Sequence, residues 1–289
     1  MSARIAVLGA TGVYARHLVP RLIAAGYRVR ALARKPESAT VAAACGAELA
    51  AADIFDEASL RAGLASCDVA INLATSLPGP TAKGDYAKND QLRREGTPVW
   101  VRACRDAGVP RILQQSIAMI HAGGGDAWAD ETTFYPAGEG IAGEAIAAVR
   151  SMEATIAESG LDWLVLRGAL FYGPGTGFDD DWFARARAGK LRMPGEGDDY
   201  VSLVHIADMA AATVAAIGRW PSRQALIVAD DRPARWRDVL TYVCAVAGSS
   251  PPQPGGRALM PSFRVTNRRA RDVLSWAPAY ADHRAGLVR

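Results

Sequence analysis

Gly9-Ala10-Thr11-Gly12 stands between a short apolar run at residues 4–8 and an amphipathic stretch at 16–25, and no other feature constrains the chain so tightly. A strand that turns into a helix within four residues needs positions without side chains, so that the backbone can fold back closely on itself. The helix opened in this way presents unpaired N–H groups and the positive end of its dipole, and only small residues let an anion reach them. The spacing G-x-x-G-x-x-A, with Ala15 as the third small residue, therefore predicts a strand, turn and helix that cradle a pyrophosphate. Gly9, Thr11, Gly12 and Val13 are the expected contacts.

The pattern then repeats. Apolar runs at 27–33, 48–51, 69–73, 111–115 and 163–166 alternate with helical stretches at 57–64, 89–107 and 139–159. Strands separated by helices of this length cannot be joined as hairpins; they line up in parallel and need both faces covered. The fold class is therefore α/β, a Rossmann-type doubly wound parallel sheet. Beyond Phe171 the texture changes to Gly173-Pro174-Gly175-Thr176-Gly177, an acidic run Asp179-Asp180-Asp181, and Pro254-Gly255-Gly256. This predicts a smaller, irregular C-terminal substrate lobe. The expected division is a dinucleotide-binding domain at 1–170 and a mainly substrate-binding lobe at 171–289, interleaved with the last sheet elements at about 200–230.

In such a fold the end of the second strand meets the adenosine ribose, where a carboxylate accepts from the 2′-OH and a guanidinium suits a 2′-phosphate. Here Arg34 and Lys35 occupy that end, which favours NADP(H) over NAD(H). Basic and acidic residues, 33 against 30 in 289, are scattered along the chain, so no single-sign block exists to hold nucleic acid or an anionic membrane. No apolar run approaches the length of a membrane span, and the N-terminal run is too short for a secretory core. A cytoplasmic location is expected. Cys45, Cys67, Cys104 and Cys244 form no C-x-x-C pair and read as reduced, packed thiols. The four histidines show no ligand spacing, and no metal is expected. The expected partner is a small-molecule substrate, in a monomer or homodimer.

Taken in order, a longer set of motifs resembles the extended or atypical short-chain dehydrogenase/reductases of the NAD-dependent epimerase/dehydratase type. The set is Gly9-Ala10-Thr11-Gly12, Asp53-Ile54, Asn72-Leu73-Ala74, Asn89-Asp90 with Arg93-Arg94-Glu95-Gly96-Thr97, Gln114-Gln115-Ser116, Leu166-Arg167, Phe171-Tyr172-Gly173-Pro174-Gly175, Val204-His205-Ile206-Ala207-Asp208, and Asn267 followed by Leu274-Ser275-Trp276-Ala277-Pro278. The resemblance implies that Asp53 and Ile54 lie by the adenine and that Leu73 and Ala74 pass the cofactor. It also implies a Tyr-x-x-x-Lys pair on the long helix, and there the chain departs. With Glu153 aligned to the family's helix glutamate, Ala145 and Val149 fall at those two positions, and neither moves a proton.

The resemblance leaves Ser116 as a carbonyl anchor and His121 or Tyr172 as substitute proton donors. Trp182, Phe183, Trp220 and Trp236 line a substrate pocket or pack the core of the C-terminal lobe. Two functions fit. One is an NADP(H)-dependent oxidoreductase acting on a small, fairly apolar carbonyl or enone with a non-standard donor. The other is a non-redox isomerase, dehydratase or cyclase, or an NADP(H)-sensing regulator without turnover.

Overall fold

The computed structural model describes residues 2–79, 84–258 and 260–287. Its central sheet takes β1 (Arg4–Leu8), β2 (Arg28–Ala33), β3 (Glu48–Ala51), β4 (Val69–Asn72), β5 (Arg111–Ile117), β6 (Asp162–Gly168) and β7 (Gln224–Val228). The order is β7-β6-β5-β4-β1-β2-β3, and every neighbouring pair is parallel. Successive strands therefore run outward in one direction from β1 to β3 and in the other from β4 to β7. That reversal at β1 and β4 opens a crevice at the carboxyl ends of the strands.

The central strands β1 and β4 are buried almost throughout because both their faces are covered. In β1, Ile5 and Val7 belong to one buried layer, Ala6 and Leu8 to the other. The first layer is closed by α1 (Val13–Ala24) and, further along the chain, Ile206–Arg219; the second by α2 (Glu57–Leu64) and the helix Thr97–Asp106. Burying one aliphatic side chain of this size contributes about 1.5–3 kcal/mol. Alternation along a strand thus decides which layer each residue joins, and it bears directly on the site below.

The helical stretch read at 89–107 is longer and less regular than its periodicity indicates. It begins as α3 (Tyr86–Gln91), passes through a π-helical turn at Leu92–Gly96, and continues as α4 (Thr97–Asp106). The long helix of the resemblance is α5 (Gly140–Ala157), followed after the sheet by α6 (Phe178–Arg187) and α7 (Ile206–Arg219). His205 caps α7 by accepting the Ala207 N–H at Nδ1, while the Asp208 carboxylate accepts the N–H groups of Ala279 and Tyr280. The His205 to Asp208 motif therefore ties the C-terminal tail to the body of the fold. All four cysteines are free, and three are buried.

Candidate active site

Gly9 and Gly12 do different jobs in the turn between β1 and α1. Gly9 has φ +82°, and a Cβ there would stand 2.9 Å from the backbone of Leu73 and Ala74 as they leave β4. Its smallness lets two adjacent strand ends pass each other. Gly12 has an ordinary extended φ of −70° and is the N-cap of α1, with no side chain capping the first turn and no acid in it. A Cβ at Gly12 would make one tight contact, 3.3 Å from the Gly9 carbonyl, and otherwise point toward the cavity that Gly12 lines. The first N–H groups of α1 face the cavity that Thr11, Gly12 and Val13 line, as an anion site requires. Above them the loop after Tyr172 closes: His17 donates from Nε2 to the Pro174 carbonyl at 2.8 Å, and Gly175 lies against Val13 and Arg16. Arg16, exposed on the first turn of α1, lines the same cavity and was not singled out by the sequence motif.

At the end of β2, Arg34 and Lys35 are exposed, and neither has an ion pair or side-chain hydrogen bond among the described residues. At the end of β3, Asp53 is half-buried and its carboxylate accepts the Phe55 N–H at 3.0 Å, shaping its own turn. Ile54 is buried against Gly96. Leu73 lines the cavity; Ala74 donates its N–H to the Asn72 side chain at 3.0 Å and does not. A basic pair without partners on one side of β1 and a helix N-terminus on the other give the crevice the charge pattern that a dinucleotide phosphate ester needs.

The cavity, about 520 Å³, runs from the glycine turn across the ends of β4 and β5 to the C-terminal lobe. Its far walls are Ile117 and Met119 after β5, Ile141, Ala142 and Ala145 on α5, Phe171, Phe178, Met260 and Phe263. Leu77, Tyr86 and Ile141, all more than a third exposed, stand at its mouth. Tyr14 shows its ring to the cavity, while its hydroxyl is buried against Thr213 Oγ1. Burial pushes that phenol well above the usual tyrosine range. The cavity's buried cation is Arg93, in the π-helical turn.

The three residues expected to carry the chemistry lie elsewhere. Ser116 is buried on the opposite face of β5, and its hydroxyl donates to Glu153 Oε1 at 2.5 Å. His121 is also buried, with both ring nitrogens engaged. Nδ1 donates to the Thr133 carbonyl at 2.6 Å, and Nε2 accepts from Arg167 Nη1 at 3.2 Å. Burial, aided by the Arg167 charge, lowers its pKa to about 4, so the ring is neutral and fixed rather than a proton shuttle. Tyr172 is fully buried; its hydroxyl donates to the Asp282 carbonyl at 3.3 Å, and its ring meets His205 edge-on. Burial first, and the acids Asp230, Asp208 and Asp282 after it, push that phenol upward.

Ser116 and His121 belong instead to a buried network whose centre is Arg167, which grips Glu153 with Nε and Nη2, the shortest contact being 2.6 Å. In β5 the side chains alternate, so Gln115 and Ile117 turn to the cavity while Gln114 and Ser116 turn away from it. Ala145 does line the cavity, at the position the resemblance gives to a proton-moving tyrosine. Val149, one turn on, is fully buried beside Ile120 and Met152. The lobe tryptophans pack inward: Trp182 meets Trp236 edge-on, and Trp220 donates to Asp162 Oδ2 at 2.8 Å. Aromatic lining comes from Tyr14, Phe171, Phe178, Phe263 and Tyr86 instead.

A parallel sheet that opens at its switch point on such a turn defines a dinucleotide-binding protein of the doubly wound type. The family model described as NAD(P)H-binding matches residues 9–217, and the chain belongs to that family. The chain is 33% identical over 310 residues to a 3-diazoavenalumate denitrifying reductase of a Streptomyces species, covering 99% of each. It is 25% identical over 249 residues to a 4-hydroxy-2-methyl-3-oxo-4-farnesyl-3,4-dihydroquinoline-1-oxide ketoreductase of Stigmatella aurantiaca, covering 85% of this chain and 73% of the relative. Among solved structures, a dTDP-glucose 4,6-dehydratase of Bacillus anthracis in complex with NAD superposes with a TM-score of 0.82 at 14% identity, covering 99% of this chain and 94% of the other. That likeness is one of fold. Among the described residues no group of His, Cys, Asp or Glu is placed to hold a metal, and no helix is long and apolar enough to cross a membrane.

Proposed function

We propose that the chain is an NADP(H)-dependent reductase of a small, largely apolar substrate, and that its cavity wall donates no proton to the reacting atoms. The observation that carries this is the pair Ile117 and Ala145, hydrocarbon on the cavity wall while the anchor that the resemblance gives, Ser116, turns away from it and Ala145 stands in place of the acid. The residues present fit the cofactor: Gly12 and the first N–H groups of α1 for the pyrophosphate, Arg16 beside them, Arg34 and Lys35 for a 2′-phosphate. Bound there, a reduced nicotinamide supplies hydride. What the chain itself does is hold the substrate among Ile117, Met119, Phe171 and Phe263, exclude water from it and orient it.

Such a wall suits an electrophile that becomes neutral on accepting hydride. An aryl diazonium cation is one: hydride adds to its terminal nitrogen to give a neutral aryldiazene, which then breaks its C–N bond, releases dinitrogen and leaves a C–H bond, with no net proton gained. The Streptomyces relative is named for a diazo substrate that is also a carboxylate. A second reading, a carbonyl or enone, is favoured by Tyr86, which stands at the cavity mouth and whose phenol, unlike that of Tyr14, has no hydrogen-bond partner among the described residues.

The two readings separate in one assay of NADPH consumption with an aryl diazonium salt and an aryl enone, corrected for the uncatalysed rates. The diazonium is expected to consume NADPH and release dinitrogen, with no solvent isotope effect on the rate of NADPH consumption. The enone is expected to be slower by the factor of about 10² to 10⁴ that a placed acid contributes. Fast enone reduction lost in Tyr86→Phe would establish the second reading. Hydride transfer to neither substrate, with NADPH demonstrably bound, would overturn both and leave the non-redox functions.

A further inference from the structure

Arg93 stands in hydrocarbon. It is 8% exposed, and it lines the cavity beside Ile117, Met119, Ala145 and Ile141. Taking a guanidinium out of water costs several kcal/mol unless charge and hydrogen bonds repay it, about what breaking a buried pair also costs. The repayment inside the chain is small. Nη1 makes a 3.3 Å contact with Asp90 Oδ1 and a 3.5 Å contact with the Ala145 carbonyl. Nε and Nη2 have no partner among the described residues, nor are they sealed in the core as the Arg30 and Arg150 Nε atoms are. Those two donors are the edge of the planar fork that grips a carboxylate with two parallel bonds.

Local structure explains how the cation gets there. The π-helical turn at Leu92–Gly96 adds a residue to the helical path between α3 and α4 and swings Arg93 off the solvent face. Arg94 next to it remains outside, paired with Glu144. A cation directed into an apolar cavity by an irregular turn, with Asp90 half-neutralising it, is arranged for a ligand that brings its own negative charge.

We propose that Arg93 is the anion-recognition residue of the substrate site, selecting organic acids in which one carboxylate is joined to an apolar body. This deepens the reductase reading and rests on it for the word substrate, but the binding claim stands separately. The probes are trans-cinnamate and its uncharged analogue trans-cinnamamide, titrated by calorimetry into the full chain, both cofactor-free and saturated with NADP⁺. Cinnamate should bind at least about tenfold tighter than the amide, a preference that one charge-assisted fork supplies. Arg93→Gln should weaken cinnamate by about the same factor, leaving the amide and NADP⁺ within about twofold.

Equal binding of acid and amide would overturn the proposal, as would a preference that survives Arg93→Gln, or loss of NADP⁺ affinity with cinnamate unaffected. Should Arg93→Gln fail to fold, Asp90→Asn decides: removing the competing carboxylate should tighten cinnamate about threefold, and an unchanged or weaker affinity overturns the assignment. An intact carboxylate preference in a protein that oxidises no NADPH would defeat the reductase reading alone.

Discussion

Two environments meet at the end of β5, separated by the thickness of one strand. Behind it, Ser116, Glu153, Arg167 and His121 form a buried ionic network in which nearly every polar atom has a partner. In front of it, Ile117, Met119 and Ala145 form an apolar stretch of the cavity wall, and Arg93 is the cavity's buried cation. Ser116 and His121, which look chemical in the sequence, belong to the rear network, where each is held by the others. The cavity lies against residues that look inert. A titratable side chain does chemistry only if a bond is left free for the substrate, and here the rear network has used its bonds to fix the strand and α5 together.

The sharpest way to break this contrast is Arg167→Met. It strands the Glu153 carboxylate in the interior and should cost about 3–5 kcal/mol of stability, read by chemical denaturation. A loss below 1 kcal/mol would mean that the network is not structural. Next in size is a pH effect. His121 is neutral in the fold with a pKa of about 4 but ionises in the unfolded chain at its ordinary 6.5. Its contribution is therefore full above about 6.5 and is lost as pH falls toward about 4, by on the order of 3 kcal/mol. Asp230, pushed up to about 8 by burial, acts in the opposite sense, its contribution being lost as pH rises from about 4 toward 8. Comparing wild type with His121→Gln isolates the first term: the acid-side loss should shrink in the variant, and an identical pH profile would refute the assignment.

On the front side, Gly12→Val should weaken NADP(H) by about a hundredfold, roughly 2.7 kcal/mol, with the fold retained by circular dichroism. Its Cβ meets only the Gly9 carbonyl, so the added atoms fall where the pyrophosphate belongs. Unaltered binding would show the turn to be purely structural. Arg34→Ala should reduce the preference for NADP(H) over NAD(H) by about tenfold, or 1.4 kcal/mol, measured by titration with both. The smallest effect is the most telling for the comparison. Ser116→Ala and Tyr172→Phe should leave kcat within about twofold and flat from about pH 6 to 8, since neither touches the cavity. A hundredfold loss in either would move the chemistry back to the rear of the strand.

The alternating apolar runs and the glycine turn determined by themselves that this chain makes a doubly wound parallel sheet with a phosphate-binding crevice at the end of β1. Those features are local: a strand reads as a run, a turn as two glycines, and a covered parallel sheet as their alternation. The exposure of Arg34 and Lys35 was equally legible, because long charged side chains keep their heads in water unless they are paired. Only the tertiary structure decided which face of β5 meets the cavity, since a period of two gives Ser116 and Ile117 opposite sides and nothing in the run says which side is covered by α5. It alone placed Arg93 as well. A π-helical turn is one extra residue in a helical stretch, invisible to periodicity, and Arg93 within it is buried and lines the cavity.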